Sequence, residues 1–293
     1  MMNARLVQTG LLAALFTGAP VAAAEQAAAP AETASPAITQ AAPSRTSPDG
    51  RLSLSVRSHN GQPVYEVTRD GETVIFPSRL GLRFASGLDL DNGFEVASVT
   101  TAETDDTWEQ PWGEKRIVRD RHTELAVTFR SVDDDGARSF TVRGRVFDTG
   151  VAFRYEVPDT GERILVDEIT EFAVEPDATS WWVPAGEYNR YEYIYKTTPV
   201  RDIYRVHTPY TLKYEGEDGP YLAIHEAALV DYAGMWLDQR RDGATEAELA
   251  PRHDGPKWRV SGAFHSPWRV SQTSDAAAGL NTRSDIHLKH QSP

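Results

Sequence analysis

From residue 48 onward, apolar and polar side chains alternate with a period of two, the spacing of a strand buried on one face. "LSLSV" (52–56), "VYEVT" (64–68) and "TVIF" (73–76) are short and rich in β-branched or aromatic residues, and "HNGQ" and "RDGE" separate them. Asn-Gly and Asp-Gly pairs favour two-residue hairpin turns, so these runs predict a β-meander. The pattern resumes in "LAVTF" (125–129), "FTVRGRVF" (140–147) and "VAFRYEV" (151–157), with turns at "DDDG" (133–136) and "DTG" (148–150). "HEAALVDYAGM" (225–235) has enough alanine to pass locally for helix, but its flanks "GPYLAI" and "WLD" predict entry into a strand. No long helical period and no repeat of fixed length breaks the series. Residues 48–293 therefore predict an all-β domain, a large antiparallel β-sandwich.

The N-terminal residues follow another pattern. Arg5 precedes an apolar run, Leu11 to Phe16, and "VAAA" precedes Glu25. This is the pattern of a secretory signal peptide over residues 1–24, cleaved after Ala24. The run is too short to cross a bilayer, so no membrane insertion is expected after cleavage, and the destination is periplasmic or secreted. Residues 25–47, made largely of Ala, Pro, Ser and Thr without an aromatic side chain, read as a disordered linker.

Charge and cysteine content narrow the partners. A formal charge of -13 disfavours nucleic acid and anionic membrane surfaces, and is compatible with neutral sugars and with cations. With no cysteine, disulfides, thiolate zinc sites and thiol nucleophiles are excluded, while hard-cation sites of carboxylate and carbonyl oxygen remain open. No Ser-His-Asp order, glycine-rich phosphate loop or HExxH helix is present, and "DDDG" lacks the spacing of a calcium loop.

Three segments carry candidate chemistry. "DDTWEQPWGEKR" holds Trp108 and Trp112 beside Glu109 and Glu114, either sugar-stacking indoles among acceptors or indoles sealing a sheet edge. In "PYLAIHEAALVDY" the alternation puts Leu222, Ile224, Glu226 and Ala228 on one face. Glu226 is then a buried carboxylate that needs a partner, unless a bulge returns it to water. In "GEYNRYEYIY" (186–195), read as a strand, Tyr191, Tyr193 and Tyr195 share one face and Glu192 shares the other with Lys196. Local physics there favours a solvated acid and packing tyrosines. Spacing within one strand cannot place the opposed carboxylates that glycoside hydrolysis requires, so no catalytic residue is assigned to this chain.

"SPDGRLSLSV", "PVYEVTRDGETVIFPSRLGLRF", "TWEQPWGEKRIVRDRHTELAVTF", "VAFRYEV", "WWVPAGEYNRYEY", "GPYLAIHEAALVDYAGMWL" and "HSPWRV" occur in this order over about residues 46 to 270. On these motifs the chain resembles the N-terminal domain of glycoside hydrolase family 97. The resemblance implies a β-sandwich of the galactose-mutarotase-like super-sandwich type, ahead of a catalytic (β/α)8 barrel. It implies action on α-glucosides or α-galactosides, acid and base carboxylates on the barrel, and a calcium ion. The N-terminal domain completes the pocket wall and lends the ion one glutamate, within a "G-D-Y-x-x-x-E-Y" context. "GEYNRYEY" matches that spacing and transfers the metal role to Glu192. Trp112, Glu114, Tyr191, Tyr193 and Glu226 are the substrate-side candidates. The barrel, acting in cis or in trans, is the expected partner, because the sequence ends at Pro293 where the family enters its barrel. The tail "VSQTSDAAAGLNTR" is polar where the family's closing strand is apolar. A free-standing exported sugar-binding or protein-interaction sandwich is the alternative.

Overall fold

A computed structural model describes residues 42–87, 89–111, 115–133, 137–159, 161–282 and 286–287. The chain enters the fold at β1 (Ser44–Thr46) and continues as the expected meander through β2 (Leu52–His59), β3 (Gln62–Arg69) and β4 (Glu72–Arg79). The turns work as their sequences require. Asn60 and Gly61 have φ of 52° and 83°, and Asp70 and Gly71 have 51° and 88°, the left-handed pairs of type I′ hairpins. There follow β5 (Leu82–Phe84), the long hairpin β6 (Phe94–Glu109) and β7 (Ile117–Ser131), then β8 (Ser139–Phe147), β9 (Gly150–Val157), β10 (Glu162–Glu168) and β11 (Glu171–Ala173). The second half supplies β12 (Thr179–Trp182), β13 (Lys196–Pro199), β14 (Arg205–His207), β15 (Tyr210–Lys213), β16 (Tyr221–Ala227), β17 (Met235–Arg241) and β18 (Ala244–Leu249). It closes with β19 (Trp258–Ser261), β20 (Phe264–His265), β21 (Trp268–Ser274) and a short helix α1 (Ala277–Thr282). No helix among the described residues is long and apolar enough to cross a membrane.

Two large antiparallel sheets enclose the core. One has eight strands in the order β1-β2-β3-β4-β11-β18-β17-β14. The other has ten, β13-β12-β15-β16-β21-β9-β8-β7-β6, with β20 paired to β9. A small sheet, β19-β10-β5, lies beside them. Alternation decides which side chains meet: Leu52, Leu54 and Val56 of β2 are all buried, and so are Leu125, Val127 and Phe129 of β7. Tyr65 ties the layers together, its ring 4.6 Å from Phe153 of the ten-stranded sheet and 6.4 Å from Phe172 of its own. Gly144 allows the closest approach, since a Cβ there would overlap the Leu54 side chain.

Two expectations need correction, and the polar tail takes a place its side chains do not announce. The ordered fold begins within the segment read as linker, because Ser44, Arg45 and Thr46 pair with Ser55, Leu54 and Ser53. Residues 1–41, including the signal peptide and most of the linker, lie outside the described residues. The polar tail does form a strand, and a central one: β21 pairs with both β16 and β9, and all seven of its residues are buried. Its backbone polarity is met by two ladders, and Gln272 Nε2 donates to the Leu280 carbonyl at 2.7 Å, so side-chain hydrophobicity is not needed to hold it. Finally, residues 186–195 are not a strand. A turn intervenes, with the Arg190 N–H donating to the Glu187 carbonyl at 3.3 Å, and pairing resumes only at Lys196.

Candidate functional site

The site begins at an edge. β14 closes the eight-stranded sheet and pairs with β17, setting His207 directly opposite Trp236. On its free side β14 receives the segment after β12: the His207 N–H donates to Val183 O at 3.0 Å and the Ala185 N–H to Arg205 O at 3.1 Å. The chain is therefore pinned along the strand edge up to Ala185, and then leaves it as the 186–195 loop.

The turn at 187–190 brings Tyr188 and Tyr191 to the same side, and both rings settle on the cross-strand pair. Tyr188 stacks on Trp236 (centroids 6.0 Å apart, planes at 27°) and Tyr191 on His207 (4.0 Å, 28°). His207 also grips the backbone, its Nε2 lying 2.7 Å from the Arg190 carbonyl. A carbonyl only accepts, so Nε2 carries the hydrogen. Burial lowers the His207 pKa, and its Nδ1 is buried without a partner. Glu192 follows, exposed, and no hydrogen bond or ion pair reaches its carboxylate among the described residues. Lys196 does not share its surroundings, because Nζ sits 5.0 Å from the Trp182 ring and 5.3 Å from that of Tyr204. Tyr193 lies under the Arg190 guanidinium at 5.5 Å, and its N–H donates to the Tyr191 carbonyl at 2.9 Å. Around Glu192 the loop exposes Tyr191 (56%), Ile194 (87%) and Tyr195 (67%).

Glu226 lies beneath this loop and is paired, without a bulge: the register of β16 on β21 runs unbroken through Ala227, and the chain turns away at Ala228, whose φ is 52°. Arg269 Nη1 donates to Glu226 Oε2 at 2.7 Å, and the Met235 N–H donates to Oε1 at 3.2 Å, so both oxygens are engaged. The same guanidinium grips the fully buried Glu168 in a bidentate pair, Nε to Oε1 at 2.8 Å and Nη2 to Oε2 at 2.6 Å. Thr170 Oγ1 and Tyr232 OH complete the shell of Glu168 at 2.8 and 3.0 Å. Burial raises the pKa of Glu226 against the opposing charge of Arg269. Arg269 is itself held above its ordinary value, since the charge and hydrogen bonds of Glu168, with Glu226 behind them, outweigh its desolvation. Tyr191 is raised by burial and then by the charge of Glu226, which links this buried cluster to the loop above it.

The predicted residues thus separate into three places. Tyr191, Glu192 and Tyr193 are brought together on the loop, and Glu226 lies beneath it. Trp112 and Glu114 lie outside the described residues. Trp108 is half-buried on β6, at the opposite edge of the ten-stranded sheet from β13, where the loop rejoins. His207, Trp236, Glu168 and Arg269 escaped the sequence reading. A buried Glu226 signals that some cation must exist, but the alternation cannot say that Arg269 supplies it.

For a metal, no group of three or more His, Asp or Glu side chains that could hold an ion occurs among the described residues. A calcium ion takes roughly six to eight oxygens, so Glu192 by itself supplies only part of a shell. The chemistry of Glu192 nevertheless fits one place in such a shell: a hard oxygen donor, exposed and unpaired, on a loop whose base is fixed.

A family profile described as "Glycosyl-hydrolase 97 N-terminal" matches residues 46–293. The "Probable retaining alpha-galactosidase" of Streptomyces bingchenggensis (strain BCW-1) is 31% identical over 266 residues, which is 85% of this chain and 38% of that protein. A glycoside hydrolase family 97 enzyme from Pseudoalteromonas sp. strain K8, solved in complex with acarbose, is 42% identical with a TM-score of 0.77, over 81% of this chain and 36% of that one. A β-arabinopyranosidase crystal structure shares the fold, with a TM-score of 0.71 at 24% identity over 79% of this chain and 40% of that one. The chain thus spans less than half the length of each.

Proposed function

The chain belongs to the glycosyl-hydrolase 97 N-terminal family, and from that premise we propose that it is the non-catalytic module which completes the active-site pocket of a family 97 glycoside hydrolase. In this reading Glu192 is its ligand to a calcium ion shared with a catalytic barrel, and the substrates are α-glucosides or α-galactosides. The reading includes export by residues 1–24 to the periplasm or the medium.

One observation carries it: an unpaired carboxylate stands among exposed aromatic and aliphatic side chains on a loop fixed at its base. An isolated surface acid needs no such support, and an exposed apolar patch around it marks a surface made to be covered. When bound, calcium supplies positive charge that orients sugar hydroxyls or water. This chain's contribution is to hold one anionic oxygen at a fixed point and to wall the pocket with Tyr191 and Tyr193. Glu226 acts from below as a support, since both its oxygens are committed to Arg269 and Met235.

The test is a calcium titration of this domain together with its barrel, in cis or in trans, with Glu192→Gln. The substitution removes the anionic oxygen and keeps the shape. Calcium affinity is expected to fall at least about 10-fold, with α-glycoside hydrolysis recovering as calcium is raised. Unchanged affinity would sink the reading.

A further inference from the structure

Glu192 needs a defined position to act as a ligand, yet its own loop makes no regular pairing between Gly186 and Tyr195. What fixes the loop is the surface beneath it. His207 and Trp236 are cross-strand neighbours on β14 and β17, each mostly buried, and as a directly opposed pair they present two rings on one face at the sheet edge. Two tyrosines three residues apart would diverge on a strand. With the 187–190 turn between them, Tyr188 stacks on Trp236 while Tyr191 stacks on His207.

His207 makes two further commitments. Its Nε2–H holds the Arg190 carbonyl, two residues before Glu192, while its ring holds Tyr191, one residue before it. Its buried Nδ1 has no partner, so the ring bears the cost of an unsatisfied acceptor in order to sit there. Trp236 is in a similar state, with its indole Nε1 buried and unpartnered and its ring flanked by the Arg205 guanidinium at 5.4 Å. Neither residue spends its polar group on the interior. What they have in common is the loop.

We propose that His207 and Trp236 are positioning residues for Glu192: a ring platform that clamps Tyr188 and Tyr191 and so presents the carboxylate in one orientation. The inference rests on the proposed role of Glu192 and assigns the residues that make the role possible. Neither touches the ion. They act by restricting the loop, so their loss lowers ligand affinity through disorder rather than through a missing donor.

The experiment has two arms on this domain together with its barrel. In the first, hydrogen exchange without calcium is compared for wild type, His207→Ala, His207→Phe and Trp236→Phe. His207→Ala is expected to speed exchange of the Tyr193 amide at least about 10-fold while β16 and β21 stay protected. His207→Phe retains the stack without the hydrogen bond and is expected to fall between the two, and Trp236→Phe close to wild type. In the second arm calcium titrations follow the same order, with about 10-fold weaker binding for His207→Ala. Unchanged exchange in His207→Ala overturns the clamp. So does unchanged calcium affinity in His207→Ala when Glu192→Gln has weakened it. If Glu192→Gln has no effect on affinity, the metal reading fails, while the exchange arm still judges the clamp. Should His207→Ala lose protection throughout, the His207→Phe variant decides: faster loop exchange than wild type with the strands still protected supports the clamp, and loop exchange equal to wild type overturns the carbonyl contact.

Discussion

Arg269 is the residue on which the buried carboxylates Glu168 and Glu226 both depend. Its side chain is fully inaccessible and neutralises one of two carboxylates, Glu168 and Glu226. Replacing such a cation with a shape-similar neutral residue leaves both acids uncompensated in a site where burial already penalises their charge. Arg269→Met is therefore expected to destabilise the domain by about 3–5 kcal/mol in urea unfolding, and a loss below about 1 kcal/mol would contradict the network's assigned importance. His225 offers a titration at the same scale. Its ring lies 5.4 Å from that of His287, and burial, then the charge of His287, then Arg269, lower its pKa to about 4. His287 is lowered by burial as well. A group whose folded pKa is depressed binds its proton more readily when unfolded. The stability it contributes is thus present above the ordinary pKa near 6.5 and is lost as pH falls from there toward 4. Unfolding free energy is expected to drop by on the order of 2 kcal/mol across that window, and His225→Gln to flatten the drop. Equal pH profiles for the two proteins would refute the assignment.

At the scale of elements, glycines mark two close approaches, one between the sheets and one within a sheet. Gly144 of β8 faces Leu54 of the other sheet with no room for a methyl group, and at Gly150 of β9 a Cβ would lie 2.6 Å from the carbonyl oxygen of Ser271 on the neighbouring β21, a backbone atom that cannot swing aside. Gly144→Ala has a flexible side chain to displace and is expected to cost about 1–3 kcal/mol, whereas Gly150→Ala meets main chain and should cost more. Calorimetric melting of the two variants checks the order, and a lower melting temperature for Gly144→Ala would reverse the argument. The same scale shows what a sequence can disclose. Strands such as β2 and β8 are legible because one face is buried and the period of two is written in side chains. The 186–195 loop misleads because its tyrosines do alternate, but they serve a platform made by residues near 207 and 236, and a turn replaces the pleat. β21 misleads in the opposite direction. Ser271, Gln272 and Thr273 look like surface, yet the strand is held by ladders on both edges, information that resides in β9 and β16. Glu226 could be recognised as a buried acid from its neighbours, but its partner is 43 positions away and no local rule names it.

For the whole molecule, the outcome depends on the layering of sheets whose neighbours are distant in sequence. β11 joins β4 to β18, and β21 joins β16 to β9, so each large sheet is completed only by strands from later in the chain. Deleting residues 268–282 is expected to abolish cooperative unfolding, because it empties the middle of the ten-stranded sheet and removes Arg269 as well. A sharp urea transition with near wild-type slope in the deleted protein would disprove this.

That central position of β21 also sets a timetable. A ribosome adds residues at roughly 5–20 per second, so for some seconds after β16 is made its edge and that of β9 have no strand between them. The N-terminal meander waits likewise, with the β4 side open until β11 and β18 are synthesised. Until β21 emerges, the nascent domain is therefore an incomplete sandwich with bare strand edges. Completion is a late insertion at the centre, not growth outward from a finished seed.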